Sequence, residues 1–150
     1  MKILVQRVLE ASVTVGDVLV DAIGRGLLLL VAIEKGDGPM ELEYLARKVA
    51  NLRIFEDEQG RMNYSVADVS GGLLVVPQFT LAANTSKGCR PSYENAAPPE
   101  EAEARLEEFV RLLVDAELPV ARGRFRADMK VALVNDGPVT IWLDRPPVAS

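Results

Sequence analysis

Val131-Ala132-Leu133-Val134-Asn135-Asp136-Gly137-Pro138-Val139-Thr140-Ile141-Trp142-Leu143 is the stretch that decides how the chain is read. Two short apolar runs, Val131–Val134 and Val139–Leu143, flank the break Asn135–Pro138. Runs so short and so β-branched read as buried strands. Asp-Gly is a turn signal, because a tight hairpin turn demands residues that tolerate positive φ. Pro138 removes a backbone donor where the second run begins, which restricts it to a strand start. It also makes Gly137-Pro138 a bond whose cis form costs only about 0.5–1 kcal/mol. The segment reads either as a hairpin with a stiffened turn or as a rigid main-chain edge presented to a ligand at a loop tip. Periodicity does not choose between them.

Outward from there, the chain alternates strand and helix patterns. Met1–Leu9 has a period of two, which puts Arg7 in one row with Met1, Ile3, Val5 and Leu9. A guanidinium in an apolar row either reaches solvent at a strand end or holds the carbonyl oxygens of a neighbouring loop, since an unpaired buried charge is very costly. Ser12–Val15 and Val18–Asp21 read as a hairpin about Gly16-Asp17. Leu27–Ile33 is a continuous apolar run, a strand covered on both faces. Asp37 or Gly38 caps a helix that opens at Pro39 and carries its apolar stripe through about Leu52. Leu52–Phe55 and Leu73–Val76 are further short strands. Pro98-Pro99 opens a second helix, whose first turn is crowded with Glu100, Glu101 and Glu103 as the macrodipole favours. Pro119 stops it, and the residues from about 145 read as a loose tail. The fold expected is a single α/β domain over residues 1–150: a mixed, curled, barrel-like sheet with two main helices packed on it.

Composition limits the chemistry. The 150 residues hold one cysteine and no histidine. That excludes an internal disulfide, a zinc site with nitrogen and sulfur ligands, and any Ser-His or Cys-His pair. No cofactor or metal is expected; Asp128 and Asp136 would need further oxygen ligands to hold a cation. The longest apolar run is too short to span a bilayer, and Lys2 and Arg7 interrupt any signal-like start. A cytoplasmic location without membrane contact is therefore expected. The net charge of −5 argues against nucleic acid, but residues 94–117 carry −6 of it, leaving the remainder at +1.

Two groups of residues could carry function. Pro77–Leu81 follows a buried strand and so lies at a sheet end, where ligands bind. Gln78 offers an amide, Thr80 a hydroxyl, and an outward turn would free backbone N–H groups as donors to an oxyanion. Thr80 has no base to activate it, so a positioning role suits it better than a nucleophilic one. Arg122, Arg124, Arg126 and Lys130 alternate; on one strand they would form a phosphate-contacting stripe, with Lys87 and Arg90 adding from a loop. Cys89, beside Arg90, lacks a base partner.

Taken in order, Gln6-Arg7-Val8, Ala11–Val15, Gln78-Phe79-Thr80-Leu81, Arg90-Pro91-Ser92, Gly123-Arg124-Phe125, Ala127-Asp128-Met129 and Leu133–Thr140 resemble the D-aminoacyl-tRNA deacylase family over essentially the whole chain. The resemblance implies a cytosolic homodimer with active sites at the subunit interface and aminoacylated tRNA, not DNA, as partner. Its reaction would hydrolyse the ester of a D-amino acid, or of glycine mischarged on tRNA-Ala. It implies that Gly137-Pro138 is cis, enters the partner subunit's site and rejects L side chains by main chain alone, with Arg7 bracing the loop. Phe79, Asn135 and Met129 would bind substrate beside Gln78 and Thr80; Arg122, Arg124, Lys87 and Arg90 would contact tRNA. The tRNA's own 2′-hydroxyl would assist the attacking water, which suits a chain with no histidine. The chain departs from the family at Pro77, where Ser is usual. A related editing branch with relaxed chiral specificity also has Pro there, but Ala at the place of Phe79. The other readings are a non-catalytic tRNA- or RNA-binding module and a small-molecule esterase or amidase with Thr80 as nucleophile.

Overall fold

One long strand, β1 (Lys2–Val15), organises the structure, a computed structural model that describes residues 1–148. Along one edge β1 pairs antiparallel with β3 (Gly26–Ala32) through its first half and with β2 (Val18–Ile23) through its second. Along the other it pairs with β8 (Met129–Asp144) from end to end, Val15 opposite Met129 and Lys2 opposite Asp144. The sheet continues from β3 into β6 (Gly72–Pro77) and β7 (Val120–Arg122), both parallel to their neighbours, giving the order β2-β1-β3-β6-β7 with β8 on β1. The short pair β4 (Phe55–Glu56) and β5 (Met62–Tyr64) lies apart. The strand expected at Leu52–Phe55 begins only at Phe55, because Leu52 and the residues after it leave the helix as an extended link.

The separate strands expected at Met1–Leu9 and Ser12–Val15 are one strand with a bulge. The register against β8 shifts between Val8 and Glu10. A bulge inserts a residue and so exchanges the faces of everything beyond it. Ile3 and Val5 therefore point to one side, while Val8, Ala11 and Val13 fill the other. On the first side lie helices α1 (Pro39–Asn51) and α2 (Pro99–Asp115), and between them and the sheet sits the larger core, including Leu42, Val49, Phe55, Leu106 and Phe109. On the second side the sheet curls on itself around Leu28, Leu74, Val76 and Ala121. The Arg122 N–H donates to Asp21 Oδ2 at 2.9 Å and draws β7 toward β2, so the barrel is nearly closed. This is the single-domain mixed sheet with two helices that the patterning predicts.

The Val131–Leu143 stretch is not a hairpin. Its two runs do not pair with each other; both lie in β8 and pair with the same strand, β1. Gln6 faces Thr140 and Val8 faces Asn135, so the residues between are extruded from an otherwise continuous ladder. The runs are half-buried rather than buried: Val134 and Trp142 are exposed while Val131, Leu133 and Ile141 turn inward. The loose tail also needs narrowing. The Arg145 N–H donates to the Met1 carbonyl at 2.9 Å, and the Val148 N–H to Glu41 Oε1 at 2.8 Å. The last two positions of that expected tail lie outside the described residues.

Candidate active site

β6 ends at Pro77 because proline has no N–H to continue the ladder beyond Val31. The Gln78 N–H still reaches the Val31 carbonyl (2.8 Å), after which the chain turns into a single 3₁₀ turn, Phe79–Ala82. The Leu81 N–H closes on the Gln78 carbonyl at 3.2 Å, but those of Phe79 and Thr80 have no acceptor among the described residues. Gln78 Nε2 donates to Thr80 Oγ1, so the hydroxyl hydrogen of Thr80 is left to donate elsewhere. Three donors are thus gathered within a few residues at the end of the sheet.

Gln78 and Phe79 of this turn line a groove of about 640 Å³. Its floor is Val31, Val76 and Val131; its walls are the first turns of α2 at Pro99, Ala102 and Leu106 and the turn after β7 at Phe125 and Met129. Gly123 makes room for that second wall. A Cβ there would stand 3.0 Å from Met129 Sδ and 3.4 Å from Pro77 Cδ. The Arg124 N–H donates to Met129 Sδ at 3.4 Å and fixes the thioether against the groove. At the mouth, Phe79 is 57% exposed and meets Tyr93 edge-on, ring centroids 5.1 Å apart. An exposed aromatic pair over an apolar groove is a surface for a flat apolar partner. The groove is lined by Gln78, Phe79 and Met129, while Thr80, the next residue after Phe79, is not among its lining residues.

A second constellation lies on β8. The Gly137-Pro138 peptide is cis, and Gly137 has φ +122. Asn135 holds the base of this loop: its Nδ2 donates to the carbonyls of Arg7 (2.9 Å) and Val139 (3.0 Å), and its Oδ1 accepts from Thr140 Oγ1 at 3.2 Å. Arg7 is 5% exposed. Its Nη1 donates to the Ile54 carbonyl at 2.7 Å, and its Nε to the Asp136 carbonyl at 3.2 Å while pairing with Asp136 Oδ2 at 3.3 Å. Of the two readings of Arg7 in an apolar row, the one in which it holds a neighbouring loop is correct. Gly137 and Pro138 themselves stay exposed. None of Arg7, Asn135, Gly137 and Pro138 lines the groove of its own chain.

The basic stripe does not form. Arg122 ends β7, Arg124 and Arg126 lie in the following turn and Lys130 lies in β8, so the four share no strand. Arg126 has φ +64. Arg122 is bonded to Glu107 of α2, whose carboxyl its guanidinium holds below the usual range, and Arg126 pairs with Glu100 at 3.2 Å. Sequence spacing cannot show this, because the acids come from a helix 15 and 26 residues away. Lys87 and Arg90 are exposed on a loop closed at its base by Asn84 and Ser92 (2.7 and 2.9 Å). Asp128 pairs with Lys130 at 3.5 Å, and among the described residues no three acidic or sulfur groups gather as metal ligands. Sequence reading missed Tyr93, Lys35 and the start of α2 as groove residues. Only Tyr93 had a signal, directly after the Arg90-Pro91-Ser92 segment.

The family described as D-Tyr-tRNA(Tyr) deacylase matches residues 4–144. A D-aminoacyl-tRNA deacylase from Magnetococcus marinus is 57% identical over 148 residues, 98% of this chain and 98% of that protein. One from Thermomicrobium roseum is 58% identical over 144 residues, covering 96% and 94%. A solved structure of a c-Myc DNA Unwinding Element Binding Protein superposes with a TM-score of 0.92 at 45% identity, covering 97% of this chain and 99% of that one.

Proposed function

Because the chain belongs to the D-Tyr-tRNA(Tyr) deacylase family, we propose that it hydrolyses the ester between a D-amino acid and the terminal ribose of tRNA, and that two copies are needed to do so. The observation that carries this reading is the separation just described. The groove with its three free donors and the braced Gly137-Pro138 edge are both exposed, yet do not meet within one chain. A second copy that lays its loop over this groove completes the site. β8 favours such pairing: its outer edge has no strand neighbour among the described residues, and Trp142 and Val134 are 47% and 44% exposed on it.

In this scheme the ester carbonyl lies against the N–H groups of Phe79 and Thr80, with the Thr80 hydroxyl as third donor. These are aimed where negative charge develops as water adds to the carbonyl carbon. The acyl–oxygen bond then breaks, and the water's proton passes to the departing ribose oxygen through the neighbouring 2′-hydroxyl. Free D-amino acid and tRNA leave. Met129 and Phe125 wall the acyl side, Phe79 and Tyr93 receive the adenosine, and in each copy Asn135 and Arg7 hold that copy's own loop rather than touching the ester. The main-chain oxygens of the partner's loop take the substrate's ammonium and leave no space for an L side chain. A wall of backbone rejects the wrong stereoisomer more rigidly than a flexible side chain does. No step needs a cofactor or a metal, and the reading places the enzyme in the cytoplasm.

The test is hydrolysis of D-Tyr-tRNA against L-Tyr-tRNA, with Gly-tRNA-Ala beside them, by wild type, Thr80→Val and Pro138→Ala. The D ester alone of the tyrosyl pair should be cleaved. Thr80→Val should lower kcat about 100-fold, the low end of what one oxyanion donor supplies. Pro138→Ala should lose activity or admit the L ester. Cleavage of both tyrosyl esters by wild type would instead place the chain with the related editing branch that also carries proline at position 77. Salt-sensitive tRNA binding with no turnover would leave a binding module.

A further inference from the structure

Every residue that lines the groove is uncharged except two, Lys35 and Arg126, and both are cations. This stands out in a chain of net charge −5. It stands out more because one wall is the start of α2, where Glu100, Glu101 and Glu103 cluster. A polyanion approaching that wall is repelled, so a nucleic-acid end that enters the groove needs local compensation. The two cations sit on different elements, Lys35 between β3 and α1 and Arg126 between β7 and β8. The Lys35 N–H donates to the Asn95 carbonyl at 3.0 Å, which ties its backbone to the loop carrying Tyr93, while its Nζ has no partner among the described residues. Arg126 keeps a left-handed backbone that costs a non-glycine residue about 1–2 kcal/mol. Its one ion pair, with Glu100, joins groups 58% and 83% exposed, so water and an incoming anion compete for it readily.

We propose that Lys35 and Arg126 grip the phosphodiester immediately before the terminal adenosine, and so set how deeply the acceptor end enters the groove. The inference rests on the deacylase reading above. The groove has room for the aminoacyl-adenosine, and the next group along the strand is a phosphate that leaves the apolar walls at the rim where these cations lie. Recognition of one phosphate needs no base sequence, which suits an enzyme acting on many tRNAs.

Three esters separate the possibilities: 3′-D-tyrosyl adenosine, which has no phosphate, the D-tyrosyl ester of the dinucleotide CpA, which has one, and D-Tyr-tRNA. Each is assayed with wild type, Lys35→Met and Arg126→Gln, folding being checked by circular dichroism. The expected result is a KM raised about five- to tenfold on the dinucleotide ester and on tRNA, with kcat and all constants for the adenosine ester unchanged. The slope of log kcat/KM against log salt on D-Tyr-tRNA should fall by roughly 0.7 for each contact removed. Equal losses on all three esters would assign the two residues to the groove's shape and overturn the proposal. So would constants unchanged on all three. Wild type that cleaves none of the esters would overturn the deacylase reading and this proposal together.

Discussion

Arg7→Met keeps most of the apolar stem and removes the guanidinium. Arg7 Nη1 holds the Ile54 carbonyl at 2.7 Å inside the protein, a bond to a charged donor worth about 1.5–3 kcal/mol. Methionine leaves that carbonyl buried without a donor, a further cost of about 1–3 kcal/mol. The Asp136 carboxylate is 37% exposed and regains water, so its pairing adds little. These two costs bound the loss at about 2.5–6 kcal/mol, and the usual cost of breaking a buried charged pair, about 3–5 kcal/mol, lies within that range. With a urea slope of roughly 2 kcal/mol/M, the unfolding midpoint should drop by about 1.5–2.5 M. Under conditions where the variant is still folded, kcat/KM on D-Tyr-tRNA should fall on the order of 100-fold, the cost of a loop misplaced by about an ångström. Arg7→Lys should fall between, because a single ammonium cannot span acceptors that a planar fork reaches together. A midpoint within about 0.3 M of wild type, with kcat/KM unaltered, would refute the bracing role of Arg7 altogether.

Three further substitutions probe other links. Gly137→Ala sets a Cβ 2.9 Å from Val139 Cγ2 and 3.0 Å from Arg7 Nη2 at a φ of +122; it should destabilise by about 1–3 kcal/mol in urea and abolish deacylation, and a fully active variant would show that the loop tolerates displacement. Gly26→Ala drives a Cβ onto the Gly72 carbonyl across the parallel β3–β6 ladder. It should cost about 3 kcal/mol or more, seen as loss of soluble protein or a thermal midpoint lower by many degrees. Burial pushes the Glu41 carboxyl up, but the N–H groups of Val148 and Gly38 and its own pull it further down, so it ends below its ordinary value. A lowered carboxyl pKa stabilises fully above the unfolded value of 4.5 and loses that contribution as pH falls through the folded one. The stability gap between wild type and Glu41→Gln should therefore close as urea titrations move from about pH 6 to about pH 3, and a gap independent of pH would discount the charge.

The placement of Arg7 was legible because an arginine in a strict period-two row demands carbonyl acceptors whatever the tertiary fold. The donors after Pro77 were legible for a similar local reason: proline ends a ladder and the chain must turn. Asn135–Pro138 was readable as a turn but not as an extrusion. Whether its flanking runs pair with each other or with a third strand is settled by β1, more than a hundred residues away, and no local preference records that. The arginine stripe failed on the same ground. Its spacing was real, but Arg124 and Arg126 sit in a turn, and Glu107 and Glu100 approach from a helix whose docking angle the sequence does not state. The groove was invisible for a third reason. Its walls are ordinary apolar residues of α2 and the Phe125–Met129 turn, chosen like core residues and distinguished only by being left uncovered.

The end-to-end pairing of β8 with β1 also orders events in time. A chain leaves the ribosome from its first residue, so β1 is the earliest strand to appear and β8 the last, and their ladder is among the most non-local contacts in the protein. The helices, the central strands and most of the groove's walls are synthesised well before it. Arg7 meanwhile has Ile54 to hold but no Asp136. A chain that stops short of β8 has the turn after Pro77 but lacks the Gly137-Pro138 edge and the groove residues Met129 and Val131. Under the reading proposed above, the groove's last lining residues, the braced loop and the free edge for pairing are therefore all supplied by one strand, β8.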